Sequence, residues 1–215
     1  MSVTAPEPTG QTTPAQRLDT AEQQAQQQID TILAAAMAAG ITGAALLAAL
    51  PALTAAILNP AQAALGVGAA IALSGGTRRG SGRLEEVPLP TPIDTDVEQL
   101  LLDAAARLDA ADAKQKELER IKRRLHRLAV TKIHQAASAG TLMYARFLGL
   151  GLRWVTRMDG RACPTCRAMH GRRVPPGERF ANPHGPGIPR RIWPGFHGLP
   201  PIHPNCRCRP VPART

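Results

Sequence analysis

The sequence predicts a mainly α-helical chain that ends in a small domain of α+β or irregular build, and three observations predict it. All six aromatic residues, Tyr144, Phe147, Trp154, Phe180, Trp193 and Phe196, lie beyond residue 140, so the N-terminal part must pack on alanine and leucine, as thin, closely spaced helices do. The net charge of +10 is confined to one end: residues 1–152 carry 14 Lys or Arg against 14 Asp or Glu, whereas residues 153–215 carry 12 Arg, no Lys, and only Asp159 and Glu178 as acids. Past Gly149, proline or glycine punctuates nearly every segment. A stretch that irregular buries little apolar area, and a domain below about 80 residues needs a staple to hold its fold.

Taken in order, residues 1–16 are rich in Thr, Pro, Gln and Ala and read as a disordered lead-in. The first twenty-odd residues contain no apolar run, so no secretion signal is expected. An Ala-rich helical region covers residues 17–74. Its first helix starts near Arg17 and stops at Gly40, and further helices are expected over 41–50 and 51–74, with Pro51 and Pro60 at starting turns. Residues 31–77 carry no charge at all. That exceeds the ~20 apolar residues of a membrane span, but the content is largely Ala, Gly and Thr, interrupted by Pro51, Asn59, Pro60 and Gln62. A soluble helical hairpin or an oligomer-forming surface is the first reading, and a membrane-inserting segment the second.

Residues 75–95 form a Gly-rich and then Pro-rich linker, the clearest boundary in the chain. Residues 96–149 then read as a long amphipathic helix or helices, with Asp94, Thr95 and Asp96 as candidate caps. Val97, Leu101, Ala104, Leu108, Ala111, Gln115 and Leu118 make a continuous stripe; Ile121, Leu125, Leu128 and Ile133 continue it in a shifted phase. The basic run Lys122, Arg123, Arg124 and Arg127 reads first as a solvated face and second as a contact for DNA or a partner. Gly140 either breaks this helix or permits a close crossing.

The final part, residues 150–215, opens with a strand around Trp154 and contains all four cysteines. Cys163 and Cys166 are separated by two residues, a knuckle whose thiolates both reach one tetrahedral zinc. Forty residues on, His203, Cys206 and Cys208 offer three further donors where zinc needs two. Two ligand sets are therefore open: all four cysteines, or three cysteines with His203 as the alternative fourth ligand. In a chain without a secretion signal, metal ligation is a better expectation than disulfides. A thioredoxin-like redox pair is the rival for Cys163 and Cys166, but the surrounding βαβ pattern is missing. The fold class is thus mainly α with a small α+β or irregular zinc-stapled C-terminal domain.

The arginine excess is the footprint of a surface facing nucleic acid or an acidic partner. Arg161, Arg172, Arg173, Arg190 and Arg191 are the candidate electrostatic contacts. Asp159 and Arg161 are expected to form a buried polar link shaping the knuckle, and Arg207 and Arg209 flank the thiolates. Trp154, Trp193 and Phe196 are the expected core; His170, His184 and His197 read as surface or packing residues. No HExxH or HxE frame is present, so a catalytic metal is not expected. The enzymatic rival is a zinc-supported DNA nuclease, in which His203 and Asn205 would have to serve both structure and catalysis.

In order along the chain, Trp154, Asp159, Arg161, Cys163, Cys166 and Gly171, then Pro200, Pro201, His203, Pro204, Cys206, Arg207 and Cys208, resemble the C-terminal domain of the phage Mu F-like minor head proteins, also described as phage head morphogenesis proteins. The resemblance covers 153–209 specifically and about 96–210 with the preceding helices. It implies a non-enzymatic minor capsid protein of a tailed phage, in few copies, inside the virion near the portal vertex, and in the host cytoplasm during assembly. It implies the portal protein and other head proteins as partners, with double-stranded DNA and a homo-oligomer as further expected contacts. Toxin domains are sometimes fused after this domain; Cys208 lies seven residues before Thr215, so none is expected here.

Overall fold

The computed structural model describes residues 12–75, 92–111, 113–160, 162–181, 183, 198–204 and 206–214. Five helices come first: α1 (Pro14–Ala38), α2 (Gly43–Ala48), α3 (Leu50–Gly75), α4 (Pro92–Ala110) and α5 (Lys114–Phe147). They are followed by β1 (Gly151–Val155), α6 (Pro164–Met169), β2 (Arg173–Val174) and β3 (Arg209–Ala213).

Several boundaries differ from the sequence reading, each for a local reason. α1 starts three residues before Arg17, because Thr13 and Gln16 build a reciprocal cap and Pro14 supplies a pre-set first turn. α4 begins at Pro92, so Asp94, Thr95 and Asp96 lie within the helix and do not cap it; a proline at the start again suits the first turn. Residues 76–91 of the linker lie outside the described residues, as do residues 1–11 of the lead-in. Pro60 is not at a starting turn but inside α3. It removes one backbone donor there, and tertiary packing of α3 carries the helix through.

The helical core is built from three long elements. α3 packs on α5, and α1 lies across both. α1 buries Leu18, Ala25, Ile29 and Leu33, and α3 buries Leu53, Ala56, Ile57, Ala61, Ala64 and Val67. The stripe predicted for residues 97–133 is largely buried, through Val97, Leu101, Ala104, Leu108, Leu118, Ile121, Leu125 and Ile133. The stretch is two helices, divided between Ala110 and Lys114; the stripe's change of phase, after Leu118, falls inside α5 and not at this break. Over Leu50–Ile71, α3 is long and apolar enough to cross a membrane by length and composition. Here its apolar face is turned onto α1 and α5.

Two glycines set the α3–α5 distance. A Cβ on Gly68 would strike the carbonyl of Ala137, and one on Gly140 the carbonyl of Leu65. Gly140 therefore permits a close crossing and does not break α5, and Thr141 Oγ1 donates to the Gly68 carbonyl at 3.2 Å across the contact. α1 is tied to α5 by polar pairs: His134 Nε2 to Glu22 and His126 Nε2 to Asp30, each 2.7 Å, with Lys122 Nζ 3.0 Å from Asp30. The 8-residue step is the same on both helices and runs in opposite senses, as antiparallel neighbours require.

β1 is the middle strand of a three-stranded antiparallel sheet in the order β2-β1-β3. Leu152 and Trp154 point to the inner face, where they join Met169, Phe180, Ile202 and the buried cysteines in a second core. Leu142 and Ala145 of α5 belong to this second core, while Val211 of β3 packs on the helical one. The C-terminal domain is thereby seated on the last turns of α5.

Candidate metal centre

Two loops and one short helix bring the donors together. β1 ends at Val155, and the chain returns so that Cys163 caps α6, with the Cys166 N–H donating to Cys163 Sγ at 3.3 Å. Pro164 occupies the first helical position, where its missing N–H costs nothing. The second cluster arrives through a cis Pro200–Pro201 bond and a turn closed by Cys206 N–H on the His203 carbonyl. β3 then pairs with β1 from Arg209 onward, which fixes Cys208 beside the end of β1.

All five predicted donors meet. His203 Nε2 stands 3.1 Å from Cys163 Sγ and 3.3 Å from Cys166 Sγ, and Cys166 Sγ is 3.6 Å from Cys206 Sγ. They form two triplets sharing Cys166, one with Cys163 and His203, the other with Cys206 and Cys208; within each triplet the donor atoms lie within 4.8 Å of one another. Zinc–sulfur bonds of about 2.3 Å and zinc–nitrogen bonds of about 2.0 Å in a tetrahedron place donors about 3.5–3.8 Å apart. The short edges here are within about half an ångström of that spacing. A soft, thiolate-rich set with one imidazole is the chemistry zinc prefers.

The fifth donor is distinguished by its neighbours. The Thr156 hydroxyl gives its single proton to the Cys166 carbonyl at 2.6 Å, and Cys208 Sγ lies 3.3 Å from the same oxygen. With that proton committed, Thr156 has none left to give to the Cys208 sulfur. His203 is oriented the opposite way. Its Nδ1–H reaches the Pro204 carbonyl at 2.8 Å, which leaves the Nε2 lone pair facing the Cys163 and Cys166 sulfurs. A backbone carbonyl behind a histidine is the usual way a ligating ring is held in one tautomer.

Electrostatics within the cluster divide the thiols sharply. Burial opposes the Cys163 thiolate, but the Cys166 N–H and the His203 ring outweigh it and hold its pKa below the ordinary thiol value. Hydrogen bonds to Cys206 and Cys208, with burial added, push the Cys166 thiol far up. The same bonds from Cys166 and Cys208 pull Cys206 down to about 2. For Cys208 the bond to Cys166 lowers the value, yet Cys206 and burial prevail and push it up to about 12. Burial disfavours the His203 cation, while the Pro204 carbonyl and the thiolates of Cys206 and Cys163 raise its pKa. Thiols this crowded cannot all ionise without a positive ion among them.

Of the polar candidates, Asp159 pairs with Arg207, whose Nη2 lies 2.9 and 2.7 Å from the two carboxylate oxygens. This joins the β1–α6 loop to the second cluster, so Arg207 serves the loop and is not left free beside the thiolates. Arg161, Arg190, Arg191, Trp193, Phe196, His184, His197 and Asn205 lie outside the described residues. Arg172 and Arg173 are exposed at the edge strand β2, donating to the carbonyls of Ala168 and Arg214. Trp154 is fully buried and meets Phe180 edge-on at 5.2 Å.

Sequence reasoning missed two supports. Thr156 ends the run after β1 and joins both halves of the cluster, and His170 accepts the Thr156 N–H on Nδ1 at 3.0 Å. Neither carries a motif, since both act through positions that only the β1–α6 return brings together.

A helical arm carrying a small sheet domain closed by a Cys/His cluster of metal-binding type is the class of protein that fold and site define. The family model for phage Mu protein F like protein matches residues 95–211, more than half of the chain, and the chain belongs to that family. The family is one of structural phage head-morphogenesis proteins, and its members are not enzymes. No curated protein and no solved structure matches the chain.

Proposed function

We propose that the chain is a minor capsid protein of a tailed phage, held inside the head near the portal vertex, which binds the portal protein and other head proteins and performs no catalysis. The family match carries this reading, because it extends over residues 95–211 and so includes α4 from Thr95 onward and α5 together with the Cys/His cluster. The cluster's own role is a structural zinc staple with Cys163, Cys166, His203 and Cys206 as ligands. Cys208 is a buried thiol held against Thr156. A ring whose two nitrogens both have partners is suited to ligation and has none left to act as a general base. Exposed Arg172 and Arg173 are the DNA-facing contacts of this domain.

Two measurements test the reading. Metal analysis of the purified chain is expected to give one zinc per chain. Cys166→Ser and His203→Ala are expected to abolish tight binding, whereas Cys208→Ser retains it. Equal loss in Cys208→Ser and full retention in His203→Ala would return the ligand set to four cysteines. Co-expression with the portal protein of the same phage is expected to yield a stable complex; a chain absent from purified heads and unable to bind portal overturns the head-protein assignment.

A further inference from the structure

On the helical part, far in sequence from the Cys/His cluster, α4 and the first half of α5 border an open, shallow cleft of about 320 Å³ lined by Arg107, Glu117, Arg120, Arg123, Arg124 and Arg127. Among the described residues, every one that lines it is charged, and five of the six are arginines. Arg120, Arg123, Arg124 and Arg127 follow the i, i+3, i+4, i+7 spacing of one helical face, and Arg107 comes across from the last turn of α4. All five arginines are exposed.

The one acid in the lining, among the described residues, is already engaged. Glu117 lies 3.7 Å from Arg107 Nε and 3.2 Å from Arg120 Nη1. Among the described residues, no carboxylate pairs with Arg123, Arg124 or Arg127, while the neighbouring Lys122 is held by Asp30. The five cations of this concavity face one anion among the described residues and repel one another, and an anion entering the cleft relieves that repulsion.

We propose that this cleft is a binding site for the phosphate backbone of duplex DNA. The arginine row from Arg120 to Arg127 rises seven residue steps along the helix, about 10.5 Å, which corresponds to about three successive phosphates on one strand. Planar five-donor forks suit bidentate phosphate contacts. An acidic protein partner would be expected to meet an apolar centre with aromatic anchors, and this cleft has none. The contact reads phosphates and carries no base specificity. It is independent of the zinc assignment and of Arg172 and Arg173.

The test is fluorescence anisotropy of the full, metal-replete chain with a labelled random-sequence DNA duplex across a series of salt concentrations. The triple variant Arg120→Gln, Arg123→Gln, Arg127→Gln is expected to bind at least about tenfold more weakly, with a log–log salt slope shallower by about 0.9 for each lost phosphate contact. Replacing the same three by Lys is expected to keep the slope and weaken affinity severalfold. Glu117→Gln, which frees Arg107 and Arg120, is expected to tighten binding and steepen the slope, a gain that no misfolded variant would produce. Arg172→Gln with Arg173→Gln is expected to leave the cleft's share of the slope in place. Unchanged DNA binding in the triple Gln variant overturns the proposal. So does a wild-type chain that binds neither probe, or that binds a polyglutamate peptide more tightly than the duplex.

Discussion

At the scale of single residues, Thr156 has one hydroxyl proton and two buried sulfur-bearing residues to serve. It gives the proton to the Cys166 carbonyl and holds its oxygen 3.3 Å from the Cys208 sulfur, so it links the end of the first knuckle to the last cysteine. Thr156→Val keeps the shape and removes both bonds. It leaves the buried Cys166 carbonyl without this donor, at a cost of about 1–3 kcal/mol, and because the hydroxyl supports a ligand from behind, zinc affinity is expected to fall about 10–100-fold. Competition with a chromophoric chelator measures the second number. An affinity unchanged in Thr156→Val would show that the hydroxyl does not hold Cys166 in place. At this scale the five donors are legible from spacing alone, since CxxC and HxxCxC each bring ligands within reach of one ion. What separates His203 from Cys208 is not legible there. It depends on a carbonyl one residue after the histidine and on a threonine 52 residues before Cys208.

At the scale of elements, the decisive contact is the crossing of α3 and α5, where glycine brings backbone onto backbone. Gly68 and Gly140 face carbonyls of the opposite helix, so any side chain forces the helices apart. Gly68→Ala and Gly140→Ala are each expected to lower stability by about 1–3 kcal/mol through overpacking. Gly66, on the exposed side of α3 with nothing within 4 Å of an added Cβ, is the control. There Ala is expected to stabilise by about 0.5–1 kcal/mol, because glycine is the poorer helix former. Urea midpoints at constant m-value give the comparison; a Gly68→Ala midpoint as high as that of Gly66→Ala would rule out the tight crossing. The helices themselves are readable from their stripes, but the division between α4 and α5 is not, since the stripe's change of phase comes after Leu118, inside α5. Pro60 shows why local signals fall short: its sequence context reads as a helix start, but packing of α3 between its neighbours overrides that preference.

At the scale of the whole molecule, the two cores differ in what holds them. The helical core has the long buried stripes of α1, α3, α4 and α5, whereas the C-terminal core is small, and three of its buried members are cysteines, two of them ligands of the proposed zinc site. Both tryptophans lie in residues 153–215, so tryptophan emission reports on the C-terminal domain and far-UV dichroism on the helices. Trp154 sits inside the core that the cluster closes, against Phe180, Met169 and Ile202. Structural zinc contributes about 10–16 kcal/mol of apparent binding free energy in small folds, more than the few kcal/mol that a core of this size supplies unaided. Removing zinc with a strong chelator is therefore expected to shift tryptophan emission to the red while most of the helical signal stays, and added zinc should restore the emission. A small loss of helicity is expected at the end of α5, where Leu142 and Ala145 lean on the C-terminal core. If emission does not move, the cluster is not a staple. If emission and helicity collapse together, the seat of the domain on α5 and the packing of Val211 on the helical core bind the two into a single cooperative unit.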